Sequence, residues 1–330
     1  MNENEKIFFN NTNVLEIHYW LKNNSHKMDA LIENRCEHEV LYLIKEIAKT
    51  YSLSILIETE PTAEGGLRKW FTIVSKEENK KATITTTIIV ALITVLLTTP
   101  IAKVSEKLID KLFEDTEIND MQKEKLKLEI EKLKEEAVKR NSQIESNNII
   151  KKRKSNFYES LEGYSEIEKV SFLSTNEEKE NVFLERTVFK NEFKNFILVT
   201  DELSPIEIES ANIEIISPVL KKGKYKWMGY FSGEPIIFSM QSSEFKTIVQ
   251  NGDIEFKNGS SINCFLKIKR QIDNEGVEKI IGYEVVRVNH YFENEKPIET
   301  KEGKKYRKIK EAEKNQMNLL DDLGLAINDK

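Results

Sequence analysis

The sequence predicts an α+β membrane protein with a small N-terminal βαβ domain, one transmembrane helix, a charged helical linker and a β-rich, barrel-like C-terminal domain. Three observations predict this fold class. A run of 21 residues without charge interrupts a chain in which 32% of residues are charged, a strand–helix–strand pattern precedes the run, and alternating strands follow it. The predicted segments are 1–80, 81–103, 104–154, 155–298 and a charged helical tail at 299–330.

The N-terminal segment carries the βαβ pattern. Residues 14–21 (VLEIHYWL) and 52–58 (SLSILIE) are rich in β-branched and aromatic types, which favour strands. Between them, apolar residues recur at helical spacing over residues 28–51. If the two strands are parallel, the loops that follow them meet at one edge of the sheet, where open α/β sheets bind ligands.

These two loops contain one of two candidate sites in the sequence. Its residues are His26, Asp29, Glu60, Glu64 and Arg68. A histidine, three carboxyl groups and an arginine that converge at a sheet edge could form an enzyme site. In the alternative interpretation, Asp29 and Ser25 cap the helix and the EGG sequence at 64–66 makes a turn.

The sequence predicts neither a metal site nor a cofactor. Four potential metal ligands lie close together in the chain: His18, His26, Cys36 and His38. Cys36 and His38 are two residues apart on a predicted helix, so they point in different directions. No motif with a distinctive catalytic spacing occurs in the sequence.

The uncharged run at 82–102 is the transmembrane candidate, because a helix needs about 20 mainly apolar residues to cross a bilayer. Ten of its residues are Leu, Ile or Val and seven are Thr. At 100° per residue, one face of the helix collects small and weakly polar side chains, while the opposite face is apolar. The residues of the small face are Thr83, Thr87, Ala91, Thr94 and Thr98.

This small face has three interpretations. Small residues and hydroxyl groups mark the surfaces where membrane helices pack together, which predicts a homo-oligomer. Polar groups at membrane depth are also tolerated where they line a water-filled cavity, which predicts a pore. In the third interpretation, the helix is buried in the protein and does not span a membrane.

The segment after the run is charged and helical. Two heptads of apolar residues, from Leu126 to Ala137, predict a short oligomerisation stalk or an amphipathic linker. A basic cluster at 151–154 then suits a solvated face, a membrane-proximal anchor or a nucleic-acid contact. Five basic residues before the run and three after it favour the N-terminal side inside the cell.

The C-terminal domain is predicted to be rich in strands from Ile213 onward. Apolar residues at 262, 264, 266 and 268 alternate with polar ones, as in a half-buried strand. A short predicted helix, SSEFKTIVQNG at 242–252, interrupts the strands. About five strands with one helix predict a small, partly closed barrel.

A basic and aromatic cluster in this domain supplies its ligand-binding candidates, which are Lys221, Lys222, Lys224, Lys226, Tyr225 and Tyr230. Lysine side chains pair with phosphates and aromatic rings stack on bases, so the cluster predicts a nucleotide or single-stranded oligonucleotide ligand. In the alternative, Trp227 and Phe231 point into the barrel and the lysines protect a strand edge from pairing.

Composition limits the remaining choices. A net charge of −6 and a pI near 5.6 disfavour a protein that coats nucleic acid with its whole surface. Cys36 and Cys264 lie far apart and indicate no disulfide framework. The first 15 residues lack the features of a secretory signal, so the uncharged run would act as a signal-anchor. The predicted location is the inner (cytoplasmic) membrane.

Four stretches of the chain and the apolar run together carry a family resemblance. The stretches are HYW at 18–20, SHKMDA at 25–30, EGGLR at 64–68 and ISPVLKKGKYKWMGYFSGEPIIFSM at 216–240. They resemble a bacterial family that occurs in anti-phage gene clusters. The resemblance implies a membrane effector paired with a nucleotidyltransferase encoded nearby, as in Hailong-type defence systems.

The leading functional hypothesis is a homo-oligomeric effector in the lipid membrane. It opens a pore or disrupts the bilayer when a nucleotide or short oligonucleotide binds to, or leaves, a soluble domain. Such a ligand acts only through different affinities for two states of the protein. The alternatives are an enzyme built on His26, Asp29, Glu60, Glu64 and Arg68, and a membrane anchor for another protein.

Overall fold

The structure is a computed structural model that describes residues 13–59, 67–76, 80–101, 144, 146–176, 185–221, 223–293 and 296–322. The protein is α+β and divides into two compact units. The first comprises Met1–Asp201 with Ile272–Val277, and the second comprises Glu202–Gln271 with Glu278–Lys330. Each unit has a hydrophobic core of its own. Residues 155–201, which the sequence pattern grouped with the β-rich domain, lie in the first unit.

The first unit is built on a five-stranded sheet with the order β2-β3-β1-β4-β5. Every neighbouring pair in this sheet is antiparallel. The strands are β1 (Val14–Leu21), β2 (Ile55–Thr59), β3 (Leu67–Ser75), β4 (Ile167–Thr175) and β5 (Arg186–Phe189).

The predicted βαβ unit is split, because β3 lies between β1 and β2 and is antiparallel to both. The sequence of β3, LRKWFTIVS, follows the predicted EGG turn and alternates its side chains between the two faces of the sheet. Once β3 pairs with β1, that edge of β1 has no place for β2. Because β1 and β2 are both antiparallel to β3, they run in the same direction, and the segments that follow them begin at the same end of the sheet.

In the described part of the first unit, three helices accompany the sheet: α1 (Ala30–Thr50), α2 (Lys80–Thr98) and α3 (Asn148–Glu162). The Asp29 carboxylate caps α1, because it accepts hydrogen bonds from the backbone N–H groups of Leu31 and Ile32 at 2.8 and 3.2 Å. The side chain of Asn147 caps α3 in the same way. Two short 3-10 segments, Lys22–Asn24 and Lys190–Phe196, connect these elements.

Helix α2 contains most of the uncharged run, and it lies inside the core of the first unit. All residues from 89 to 97 are buried, on every side of the helix. The helix packs against β1, β3, β4, β5 and α1. Among the helices in the described part of the chain, none combines the length and the apolar character that a membrane crossing requires.

The predicted transmembrane helix is therefore wrong. A helix that is apolar all round is buried either in a lipid bilayer or in a protein core, and its sequence is similar in both settings. The five-stranded sheet supplies such a core here, and Leu92 on α2 is only 2% exposed.

The predicted pore or helix-packing face of α2 packs inside the first unit wherever it is described. The hydroxyl groups of Thr94 and Ser174 on β4 are hydrogen bonded at 2.9 Å. Ala91, one turn before Thr94 on α2, is also buried. The Thr98 hydroxyl donates a hydrogen bond to the carbonyl of Thr94 at 2.9 Å. The side chains of Thr83 and Thr87 lie outside the described residues.

The basic cluster at 151–154 lies on α3 and is largely buried. The Lys152 ammonium group is 2.7 Å from the Asp201 carboxylate, and the Arg153 guanidinium is 3.2 Å from the Glu39 carboxylate. Buried charges are tolerated when they are paired in this way. The two ion pairs therefore allow these cations to lie on the buried side of α3.

Lys154 is 1% exposed and has a different environment. Its ammonium group donates a hydrogen bond to the carbonyl of Thr99, just beyond the end of α2, and the hydroxyl of Tyr158 donates to the carbonyl of Leu97. Both side chains satisfy carbonyls that a helix leaves unpaired at its C-terminus. Burial lowers the pKa of Lys154 from its usual 10.5 to about 7.

The second unit contains a six-stranded sheet with the order β11-β10-β8-β7-β6-β9. A further pairing between β9 and β10 closes five of these strands into a small barrel. The strands are β6 (Glu202–Ser217), β7 (Trp227–Phe231), β8 (Glu234–Met240), β9 (Ser261–Ile272), β10 (Glu278–Glu293) and β11 (Lys296–Glu299). A helix, α4 (Ser243–Gln250), lies between β8 and β9, and the helix α5 (Lys301–Asp322) follows β11.

The closed strands have the arrangement of an OB fold. The five barrel strands in chain order are β6, β7, β8, β9 and β10. Around the barrel, β6 pairs with β7, β7 with β8, β8 with β10, β10 with β9, and β9 with β6, so the order is first, second, third, fifth, fourth. The third and fifth strands, β8 and β10, are parallel, and the helix α4 follows the third strand. OB domains are small Greek-key barrels of five strands whose second and third strands form a ligand-binding face.

The interior of this barrel is aromatic. Trp227 is 1% exposed, and its ring lies 6.3 Å from that of Phe238 and 6.0 Å from that of Phe245 on α4. Gly229 allows β7 to approach β6 closely, because a Cβ atom there would lie 2.6 Å from the Glu214 carbonyl oxygen. Trp227 is thus a core residue rather than a surface platform.

Candidate functional site

The loop between β6 and β7, residues 218–226, carries the predicted basic cluster. Lys221, Lys224 and Lys226 are exposed, and none of the three forms an ion pair with another described residue. Lys222 lies outside the described residues. The three described ammonium groups are therefore available to an anion from solvent.

Tyr225 stands out from the same loop with 58% of its surface exposed. Gly223 has a φ of +152°, a conformation that side chains disfavour. A Cβ atom at Gly223 would lie 2.7 Å from the Tyr225 ring, so the ring packs directly on the glycine backbone. Glycine at 223 thus leaves the space that the Tyr225 ring occupies.

The outer face of β7 and β8 continues this surface. Met228 and Tyr230 on β7 and Ile237 on β8 are exposed, while their neighbours in the strands point into the core. Met228 lies directly opposite Ile237 in the pairing of the two strands. The second and third strands of the barrel therefore present an aromatic and aliphatic surface beside the lysine loop.

A groove of about 850 Å³ opens next to this surface. Tyr230 on β7 and Glu214 on β6 are directly opposite each other and both line the groove. Its other residues come from the end of β6, the lysine loop, the end of α4 and the segment between α4 and β9: Ile215, Ile216, Pro218, Leu220, Val249, Gln250, Asn251, Gly252, Ile254, Phe256, Lys257 and Asn258. The Gln250 amide donates to the Lys221 carbonyl at 3.4 Å and links the two sides.

Charge is distributed unequally between the two units. The second unit has 20 Lys or Arg residues and 19 Asp or Glu residues, whereas the first has 30 and 37. The acidic character of the chain therefore belongs to the first unit. The second unit carries no net negative charge that would repel a polyanion from its lysine loop.

The other candidate site is not assembled by the described residues. His26 is exposed in the segment between β1 and α1, and Asp29 is engaged as the cap of α1. The Arg68 guanidinium on β3 is 3.1 Å from the carboxylate of Glu16 on β1. Glu60 and Glu64 lie outside the described residues.

Arg68 instead belongs to a polar cluster on one face of the first unit's sheet. It is opposite His18 in the pairing of β1 and β3. The His18 and Trp20 ring centroids lie 4.0 Å apart with the rings tilted by 31°, and the Trp20 indole donates to the hydroxyl of Ser171 at 2.9 Å. Burial, and then the positive charge of Arg68, lower the pKa of His18 from 6.5 to about 4. His18 is therefore a neutral imidazole at pH 7.

Acid should destabilise the first unit through His18. Between pH 6.5 and 4 the unfolded chain binds a proton at His18 that the folded chain does not, so stability falls as pH falls. After allowance for solvent near the ring, we expect acidification to lower the free energy of unfolding by about 1–2 kcal/mol through His18. The variant His18→Gln should not show this part of the loss. Urea denaturation of both proteins at pH 7 and pH 4.5 measures the difference, and equal acid losses in the two would contradict the expectation.

Neither thiol of the chain is poised for chemistry. Burial raises the pKa of both Cys36 and Cys264 to about 12, so both remain protonated at neutral pH. Within the described ranges, no group of three or more His, Cys, Asp or Glu side chains could hold a metal ion.

No family model, curated protein or solved structure matches this chain. The function is therefore inferred from the topology of the barrel and the chemistry of its surface, with the ligand class drawn from other proteins of the same fold. The resemblance to an anti-phage family stays a prediction.

Several residues of the groove were missed in the sequence, among them Glu214, Gln250, Phe256 and Lys257. Two signals were present. Residues 251–260 (NGDIEFKNGS) form a polar, glycine-containing segment between a helix and a strand, which is typical of a surface loop. Glu214 lies between the apolar residues Ile213 and Ile215, and strand alternation turns it outward.

Proposed function

We propose that the second unit binds single-stranded oligonucleotides or nucleotides on the outer face of β7 and β8. The proposal rests on one observation, which is that the groups suited to binding nucleic acid lie close together on the barrel. The exposed lysines and Tyr225 lie on the first loop of an OB barrel, Tyr230 lies on its second strand, and a groove lined by Tyr230 and by residues of that loop opens next to the face of the second and third strands. OB domains use this face to bind oligonucleotides and oligosaccharides.

The chemistry of the face favours a nucleic acid over an oligosaccharide. Lys221, Lys224 and Lys226 provide three cations within six residues of the chain. An uncharged sugar forms no ion pairs with them, whereas the phosphates of a nucleic acid do. Tyr225 and Tyr230 offer aromatic rings on which bases stack without regard to sequence. Cations along a strand's backbone and rings beneath its bases are the two elements of single-strand binding.

Removal of two lysines should weaken this binding in a salt-dependent manner. For single strands, the slope of log affinity against log salt is about 0.7 for each phosphate contact. We therefore expect Lys224→Gln with Lys226→Gln to reduce the slope by about 1.4. Fluorescence anisotropy of the full chain with a labelled oligodeoxythymidylate of about 12 nucleotides, within the usual site size of one OB domain, measures it at several salt concentrations.

The matched control is Lys304→Gln with Lys305→Gln, which makes the same change of charge on exposed residues of α5 in the same unit. Equal effects of the two double variants would assign the binding to the charge of the unit as a whole. No binding of any oligonucleotide by the wild-type chain would refute the proposal.

The wider biological setting is a separate proposal. The expected homo-oligomer, the association with a lipid membrane and the pairing with a nucleotidyltransferase come from sequence patterns and from the family resemblance. Any membrane action of this chain would have to proceed without the transmembrane helix that was predicted at 82–102, since α2 is a core helix. Co-purification of the chain with the product of a neighbouring gene tests the pairing.

A further inference from the structure

We propose that the groove of the second unit selects guanine, with the carboxylate of Glu214 as the group that recognises the base. This inference rests on the proposed function of the same face. It begins from an apparent contradiction, because a carboxylate lines a groove beside a loop with three exposed lysines that form no ion pair with any residue the structure describes.

The Glu214 side chain is exposed and makes no hydrogen bond or ion pair with another described residue. An ionised carboxylate is an acceptor only, and it repels a phosphate. The part of a nucleic acid that lies against it must therefore offer hydrogen-bond donors. Within a DNA single strand, away from the hydroxyl groups at its two ends, only the bases carry such donors.

The four bases differ in what they offer to a carboxylate. Guanine has two adjacent donors on its Watson–Crick edge, the N1–H and the N2 amino group, which match the two oxygens of one carboxylate. Adenine and cytosine each have one amino donor beside a ring nitrogen that accepts, and thymine has one N–H between two carbonyls. A bidentate contact of this kind is possible for guanine alone.

The other side chains of the groove complement the rest of a guanine. Asn251 and Asn258 are exposed, and neither side chain is hydrogen bonded within the described part of the chain, so their amides can donate to the O6 and N7 acceptors. Tyr230 is directly opposite Glu214 and provides a ring for stacking. The groove volume of about 850 Å³ accommodates a nucleotide.

The test compares oligodeoxythymidylate with the same strand carrying one central guanine or one central inosine, which lacks the N2 amino group. For the wild-type chain we expect the guanine strand to bind about 5- to 150-fold more tightly than the all-thymine strand, the discrimination of a good bidentate contact. Inosine should lose most of this preference. Glu214→Gln should bring the guanine and thymine strands to within about threefold.

The control is Glu234→Gln on β8, which makes the same change of charge outside the groove and should keep the guanine preference. Binding without any guanine preference overturns this inference and leaves the proposed function intact, whereas no binding of any strand overturns the proposed function. A preference that survives Glu214→Gln overturns the assignment to Glu214. Free guanosine monophosphate and the unlabelled guanine strand are then compared as competitors of the labelled strand. If both compete at similar concentrations, the ligand is a free nucleotide. If guanosine monophosphate competes much more weakly, the ligand is a strand.

Discussion

Truncation of Leu92 to alanine should reduce the free energy of unfolding of the first unit by about 2–5 kcal/mol. Leu92 is 2% exposed in the middle of α2 and packs in the core, so the change removes buried methyl groups and leaves a cavity. Chemical denaturation measures the loss. Hydrogen exchange of the backbone amides at 89–98 assigns it to the unit that contains α2.

The matched control is Leu31→Ala on α1, because Leu31 is a helical leucine of the same unit with 70% of its surface exposed. Surface substitutions of this type usually change stability by about 0.5 kcal/mol or less. A transmembrane α2 would give a different result, because Leu92→Ala would then leave the stability of the folded sheet unaltered. Equal effects of the two substitutions would argue against the buried position of α2.

The stability of the first unit should rise with pH between 7 and 9, and Lys154 should account for the rise. Its pKa is about 7 in the folded chain and 10.5 in the unfolded chain. Between these values the unfolded state binds more protons, so stability increases with pH. At 1.36 kcal/mol for each pH unit, the gain over this window is at most about 2.7 kcal/mol. Above about pH 8, ionisation of the Cys36 thiol in the unfolded chain opposes part of this gain, because burial raises the pKa of that thiol to about 12 in the folded chain.

Lys154→Met should abolish the rise, since methionine has no proton to lose. Lys152→Met is the matched control on the same helix, because it removes a lysine whose ammonium group is paired with Asp201. Loss of that pair lowers stability at both pH values and should leave the rise in place. Urea denaturation at pH 7, 8 and 9 distinguishes the three proteins, and a flat profile for the wild-type chain contradicts the role assigned to Lys154.

Local patterns in the sequence located many elements but could not assign their surroundings. The apolar residues of α2 were evident, yet an all-round apolar helix fits a bilayer and a protein core equally well. Whether α2 lies in a bilayer or in a protein core depends on its packing against β3 and β4. The β4 residues that contact α2 come much later in the chain. Ser174, the hydrogen-bonding partner of Thr94, is 80 residues away.

The pattern of charged residues likewise led to a wrong expectation for the surroundings of α3. A run of four basic residues at 151–154 suggests a surface, but Arg153 is buried because Glu39, 114 residues away, neutralises it. In the second unit, alternation identified the strands and the lysine loop, since those signals are local. The closure of the barrel and the position of Glu214 opposite Tyr230 depend on pairing between strands, which a single sequence does not encode locally.

The contacts that bury α2 have a consequence for the synthesis of the chain. The helix ends at Thr98, yet β4, which covers one side of it, ends at Thr175, and Lys154 and Tyr158 hold its last carbonyls. At about 5–20 residues per second, the ribosome needs roughly 4–15 s to produce the intervening chain. During that interval an uncharged, apolar segment has been synthesised without β4 and α3, although β1, β2 and β3 precede it in the chain. In the cell, this segment is the part of the nascent protein that a chaperone or the membrane-targeting machinery would capture first.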